Sequence, residues 1–116
     1  MINIDTEEEY RKGILFIRIK GDITKKTQDK YYDNVITLIK NNGIRNIVLN
    51  LERVEKLDLK GINLLFYTYE LTRINKGKLY FTNINTNIKK RIDRSHILRY
   101  VDVLNNELES YTKIIV

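Results

Sequence analysis

Residues 47–66 read IVLNLERVEKLDLKGINLLF, and their interpretation decides the fold. Ile47 to Leu51 is a strongly apolar run with the period-2 alternation of a buried strand, whereas the residues from Gly61 onward crowd apolar side chains onto more than one helical face. Between them, Leu57-Asp58-Leu59-Lys60-Gly61 is the hand-over from strand to helix. In sheets with crossover helices, recognition sites lie beyond the carboxyl ends of the strands, so this junction is the first place to look for function.

Working toward the N-terminus, residues 13–20, GILFIRIK, form a second strand with Leu15, Ile17 and Ile19 on the core face. Ile14, Phe16, Arg18 and Lys20 then share the partly wet face. Residues near Asn3 to Glu9 supply an antiparallel neighbour. Gly21-Asp22-Ile23-Thr24 carries turn chemistry before a helix N-capped at Thr27. Tyr31, Val35, Leu38 and Ile39 recur at helical spacing up to the stop signal Asn41-Asn42-Gly43.

Toward the C-terminus, the helix from Gly61 to about Lys76 is expected to end on Gly77 as a left-handed cap. Lys78 to Ile84 is the next strand. Asn85-Thr86-Asn87 starts a short basic helix running to about His96, Tyr100 to Leu104 is an edge strand, and Asn106 to about Ile114 is a closing helix. Strands alternating with helices after an opening hairpin predict a single domain, residues 1–116. Its class is α/β, a mixed β-sheet of four to five strands with helices packed mainly on one face.

Composition limits the chemistry. The 116 residues are enough for one sizeable core. Cysteine is absent, which excludes disulfides, thiolate metal sites and cysteine nucleophiles, and the lone His96 cannot build a multi-histidine centre. The first ten residues are acidic and no apolar run reaches the roughly 20 residues that span a bilayer, so a soluble cytoplasmic protein is expected. A net charge of +6, from 21 Lys and Arg against 15 Asp and Glu, raises nucleic acid or anionic lipid as partners. The cations are nevertheless scattered in small groups, Lys25-Lys26, Lys89-Lys90-Arg91, Arg94 and Arg99, with no aromatic stacking platform among them.

Catalysis finds no support, because no nucleophile, base and orienting group recur together. Asp22 and Asp58 resemble a carboxylate pair only superficially, since each sits where aspartate is favoured as a backbone acceptor. Ser95 and His96 mark a helix end. No catalytic residue, metal ligand or cofactor is assigned.

The order Gly21-Asp22-Ile23-Thr24, then residues 44–52 (IRNIVLNLE), then Asp58-Leu59-Lys60-Gly61, then Gly77-Lys78-Leu79 resembles a STAS domain. This is the sulfate transporter and anti-sigma factor antagonist family, and the likeness to its small stand-alone bacterial antagonists runs from about Gly13 to Lys113. The resemblance implies a non-enzymatic protein that binds a kinase-like anti-sigma factor. In such antagonists the kinase phosphorylates a serine in an Asp-Ser-Ser-Gly loop. Here Asp58 and Gly61 match that pattern, but the phosphorylated position is Leu59 and its neighbour is Lys60, so the phosphoserine switch is absent. Thr24 stands where the family places an acid.

The partner-binding surface implied by the resemblance comprises Thr24, Asp58, Leu59, Lys60, Gly61, Asn63 and Tyr67, with Asp58 and Gly61 shaping the loop. Two questions stay open from the residues alone. Leu59 either projects as an apolar knob or packs inward, and Tyr67 is either an interface anchor or a ring lying over a neighbouring helix. Two other functional classes share the fold. One is a scaffold or adaptor in a larger assembly, marked by a defined oligomer without a kinase-like partner. The other is a nucleic-acid or anionic-lipid binder using Lys89 to Arg99, marked by strong salt dependence.

Overall fold

The computed structural model describes residues 3–114. An opening hairpin joins β1 (Ile4–Arg11) to β2 (Ile14–Ile23). Its two turn residues, Lys12 and Gly13, both have positive φ, 52° and 80°. That pairing is what a two-residue hairpin turn requires to match the twist of its strands. After the hairpin come α1 (Gln28–Tyr31), a π turn (Tyr32–Ile36) and α2 (Thr37–Asn42) as one continuous helical stretch. Gly43, at φ 58°, ends it as the sequence predicts. Then follow β3 (Asn46–Leu57), α3 (Leu59–Ile74), β4 (Lys78–Thr82), α4 (Thr86–Ser95), a 3-10 turn (Ile97–Arg99) and β5 (Asp102–Leu104). A second 3-10 turn (Glu107–Glu109) and α5 (Ser110–Lys113) close the described chain.

The strands form one five-stranded sheet in the order β1-β2-β3-β4-β5. β1 is antiparallel to β2 and every other pair is parallel. The helices from α1 to α4 cover one face, burying Leu15, Ile17, Ile19, Ile47, Leu49, Leu51, Leu79 and Phe81 against Tyr31, Val35, Leu65 and Ile92. On the opposite face the closing segment covers Ile14, Phe16, Val48, Tyr80 and Leu104. Strands buried on both sides lose the polar alternation of a half-wet sheet, which explains the nearly unbroken apolar runs of β2 and β3. Ile14 and Phe16 are therefore buried, and only Arg18 and Lys20 keep the wet character expected for that face.

Arg18 fastens this arrangement. Its guanidinium donates to Glu107 at 2.7 and 2.9 Å, to Glu7 at 2.8 Å and to Glu9 at 2.8 Å. The Asn50 amide donates to Glu107 at 2.8 Å. Burial works to raise the Glu107 carboxyl, but the bonds from Arg18 and Asn50 outweigh it and hold the group below its ordinary value.

Several boundaries differ from the sequence reading for local reasons. α3 begins at Leu59, because Asp58 caps it and Gly61 is already its third residue. It ends at Ile74, and the left-handed residue is Lys76, at φ 60°, instead of Gly77. Glycine is needed at 77 for a different purpose: a Cβ there would sit 1.9 Å from the Arg45 carbonyl oxygen. The closing helix is divided into a 3-10 turn and a single α turn, with Asn106 capping the first.

Candidate partner-binding surface

Ile23 pairs with Leu57 at the carboxyl ends of β2 and β3, so the loops that follow these strands emerge side by side. Asp58 ties the two together. One of its carboxylate oxygens accepts from the Gly61 N–H at 2.7 Å, and the other accepts from the Lys25 N–H at 3.1 Å. The first bond is a helix N-cap, and the second joins the β2–α1 loop to the start of α3. Asp58 thus accepts backbone N–H groups, as its residue type suggests.

Thr27 occupies the N-cap position of α1, but its hydroxyl does not cap that helix. It donates to the Asp22 carbonyl at 2.7 Å and accepts from the Thr24 N–H at 3.0 Å, which locks the loop from behind. Gly61 completes the junction. A Cβ on it would stand 1.9 Å from the Ile23 carbonyl oxygen, so only glycine lets α3 approach the end of β2 this closely. The Asp22 and Asp58 carboxylates share no hydrogen bond: Asp22 is buried, and its Oδ1 has no partner among the described residues.

With the loop held this way, the residues between Asp58 and Gly61 point outward. Leu59 is 71% exposed and therefore projects as a knob, and Lys60 and Asn63 are exposed beside it. Thr24 is half-buried on the adjoining loop. A shallow groove runs between the start of α1 and α3, lined by Gln28, Asp29, Tyr32, Lys60, Asn63 and Tyr67 among others. Tyr67 stacks on Tyr32 with ring centroids 6.2 Å apart and planes 21° apart. The Tyr32 hydroxyl beside it holds the Tyr67 phenol above its ordinary value, while Lys40 pulls the other way. Tyr67 therefore lies over the neighbouring helical segment and still keeps 39% of its surface exposed.

Of the residues singled out in the sequence, Asp58 and Gly61 are structural supports. Leu59, Lys60, Asn63 and Tyr67 share one continuous surface, and Thr24 flanks it. Tyr32 was missed, because the sequence reading follows the buried stripe of Tyr31, Val35 and Ile39, and Tyr32 lies beside that stripe with 40% of its surface exposed. On the apolar arc of α3, Ile62, Leu64, Leu65 and Leu71 are buried, whereas Tyr67 and Ile74 face out. Ser95 and His96 end α4: the Ser95 hydroxyl donates to the Ile92 carbonyl at 2.6 Å, and His96 is left-handed at φ 61°.

A mixed sheet that carries a capped loop-to-helix crest beyond two adjacent parallel strands defines an α/β domain of the kind whose sites lie at the carboxyl ends of its strands. The STAS domain model matches residues 5–110, and the chain belongs to that family. An anti-sigma F factor antagonist of Paenibacillus polymyxa is 23% identical over 113 residues, covering 97% of each chain. The crystal structure of an anti-sigma factor antagonist from Mycobacterium paratuberculosis has a TM-score of 0.83 at 18% identity, covering 96% of this chain and 93% of that one. The Bacillus cell fate determinant SpoIIAA in its phosphorylated form has a TM-score of 0.72 at 17% identity, covering 96% of this chain and all of its own. Among the described residues no helix is long and apolar enough to cross a membrane.

Proposed function

We propose that this chain is a single-domain, cytoplasmic anti-sigma factor antagonist that binds a kinase-like anti-sigma factor and carries no phosphoserine switch. Family membership and an antagonist relative that matches over 97% of the chain support the role. The observation that carries the finer reading is Leu59, a projecting apolar side chain where the family pattern has its modified serine. Leucine has no hydroxyl to phosphorylate, so the charge that phosphoserine brings to a docking face cannot arise there. The contact surface on this reading is Thr24, Leu59, Lys60, Asn63 and Tyr67, with Asp58 and Gly61 holding its shape. No cofactor is required.

The test is calorimetric titration of the purified chain against a kinase-fold anti-sigma factor encoded in the same genome, with nucleotide bound. Leu59→Asp is expected to weaken binding at least about tenfold, as expected of a buried apolar anchor. Its melting temperature should stay close to wild type, because an exposed side chain contributes little to folding. Unchanged affinity in the folded variant would exclude this surface, and absence of wild-type binding would exclude the antagonist role.

A further inference from the structure

Lys25 and Lys26 follow Thr24 in the β2–α1 loop, and Lys60 is the second residue of α3. All are exposed, and none joins an ion pair among the described residues. None of the nearby carboxylates forms an ion pair with them among the described residues. Asp58 has both oxygens committed to main-chain N–H groups, and Asp22 is only 5% exposed. Asp29 is outward on the wall of the adjoining groove. Leu59 stands amid these cations as the most exposed apolar side chain of the crest.

We infer, on the antagonist reading, that the partner presents an acidic face with an apolar socket: Leu59 enters the socket, and carboxylates around its rim meet Lys25, Lys26 and Lys60. That reading supplies where the partner sits, and charge and geometry supply its chemistry. A basic or neutral rim would force unpaired ammonium groups out of water as Leu59 docks, a selection against wrong partners as well as for the right one. Lys60 also lies in the first turn of α3, where the helix dipole disfavours a cation in the free chain. A partner carboxylate placed there relieves that mismatch. Because Asp58 and Thr27 bind the crest to the sheet through main-chain groups, the backbone that carries the cations is positioned before the encounter, and only the lysine side chains remain to be ordered on binding.

A protein fits this surface better than a nucleic acid. A phosphate backbone offers nothing to cover an exposed leucine in the middle of its cations. Tyr32 and Tyr67, beside the crest, are stacked on each other, so each ring has one face already taken.

The experiment titrates wild type, the Lys25→Glu/Lys26→Glu double variant and Lys60→Glu against the same anti-sigma factor in 50 and 300 mM NaCl. A Lys90→Glu/Arg91→Glu variant on α4 controls for net charge, and melting curves confirm that each variant is folded. Wild-type affinity should fall about tenfold between the two salts, and each crest variant should be about tenfold weaker or more at low salt, with the difference shrinking at high salt. The α4 control should bind as wild type. Carbodiimide coupling, which joins amines to carboxylates without a spacer, should link Lys60 to an Asp or Glu of the partner. The inference is overturned if the crest variants bind like wild type, if the α4 control weakens equally, or if Lys60 couples to no partner carboxylate. It is also overturned if the same lysines instead govern binding of a 20-nucleotide RNA while the protein partner is indifferent to them. If the wild type binds no anti-sigma factor at either salt, the antagonist reading fails, and this inference fails with it.

Discussion

Replacing Gly61 with alanine tests the contact on which the whole crest depends. The added Cβ would lie 1.9 Å from the Ile23 carbonyl oxygen, 2.9 Å from its carbon and 2.7 Å from Leu57 Cδ1. The leucine methyl can rotate aside. The Ile23 main chain cannot, because it is paired to β3 at Leu57. Relief therefore has to come from α3 withdrawing by about 1.5 Å to restore ordinary contact. That movement stretches the Lys25 N–H to Asp58 bond, now 3.1 Å, beyond hydrogen-bonding distance. Overpacking against fixed backbone costs about 1–3 kcal/mol, here at the upper end. The lost bond to a charged acceptor adds about 1.5 kcal/mol. Alanine returns about 1 kcal/mol through its better helix propensity. A net loss of about 2.5–3.5 kcal/mol corresponds to a fall in melting temperature of roughly 10–15 °C for a chain of this size. Thermal and urea unfolding followed by circular dichroism measure it directly. An equal or higher melting temperature would mean that alanine's helical advantage is unopposed, and the close approach of α3 to β2 would be refuted.

The remaining predictions concern the side chains that hold the crest and the far face of the sheet. Asp58→Ala removes the cap of α3 and the bridge to the β2–α1 loop together, and should destabilise by about 2–3 kcal/mol in chemical denaturation. Asp58→Asn should keep the cap but turn an amide donor toward the Lys25 N–H. A loss of about 1.5 kcal/mol with faster hydrogen exchange at Lys25 is expected, and exchange equal to wild type would show that the bridge is not held in solution. Glu107 has a folded-state pKa below its unfolded one, so its stabilising contribution is present above the unfolded value of 4.5 and is lost as pH falls through the lower, folded value. Glu107→Gln should accordingly flatten the decline in melting temperature below pH 4.5 relative to wild type; parallel acid profiles would contradict the linkage.

The sheet was legible because its central strands are written as short apolar runs, and because the stop signal at Gly43 and the helix entry at Asn85 fall where a helix ends or begins; Gly13, read as the first residue of a strand, belongs instead to the hairpin turn. What escaped the sequence depends on contacts between distant segments. Thr27 looked like a cap by residue type, yet its hydroxyl has a better-placed acceptor in the Asp22 carbonyl, a choice that only the folded loop creates. Gly77 looked like a left-handed cap, but the close passage of Arg45 claims it, and Lys76 takes the left-handed conformation instead. The Arg18 network was recoverable in part. A two-residue turn at Lys12-Gly13 fixes the hairpin register and sets Glu7 opposite Arg18, whereas Glu107 arrives from 89 residues away. On the crest, Asp58 was readable as a backbone acceptor, but the outward course of Leu59 and the stacking of Tyr32 on Tyr67 were not, since neither follows from spacing.

The crest separates two kinds of information that the Asp-x-x-Gly pattern runs together. Asp58 must accept N–H groups from two segments, and Gly61 must leave room for a carbonyl; both demands come from the fold and would exist with no partner at all. Leu59 and Lys60 lie between them with exposed side chains, so folding constrains their identity weakly. The chain matches its family's pattern at the two positions that geometry fixes and departs from it at the two that face outward. The match at 58 and 61 is therefore a statement about architecture, and the departure at 59 and 60 is where regulation and partner choice have freedom to differ. A leucine in place of the modified serine, on the proposed function, exchanges a charge that can be switched for an apolar contact, and Lys60 beside it adds a cation that is always present. On the proposed function, the resulting prediction is an affinity for the partner that ATP and kinase activity leave unchanged. An ATP-dependent loss of binding, traced by mass spectrometry to a modification elsewhere on this surface, would show that the switch had moved instead of disappearing.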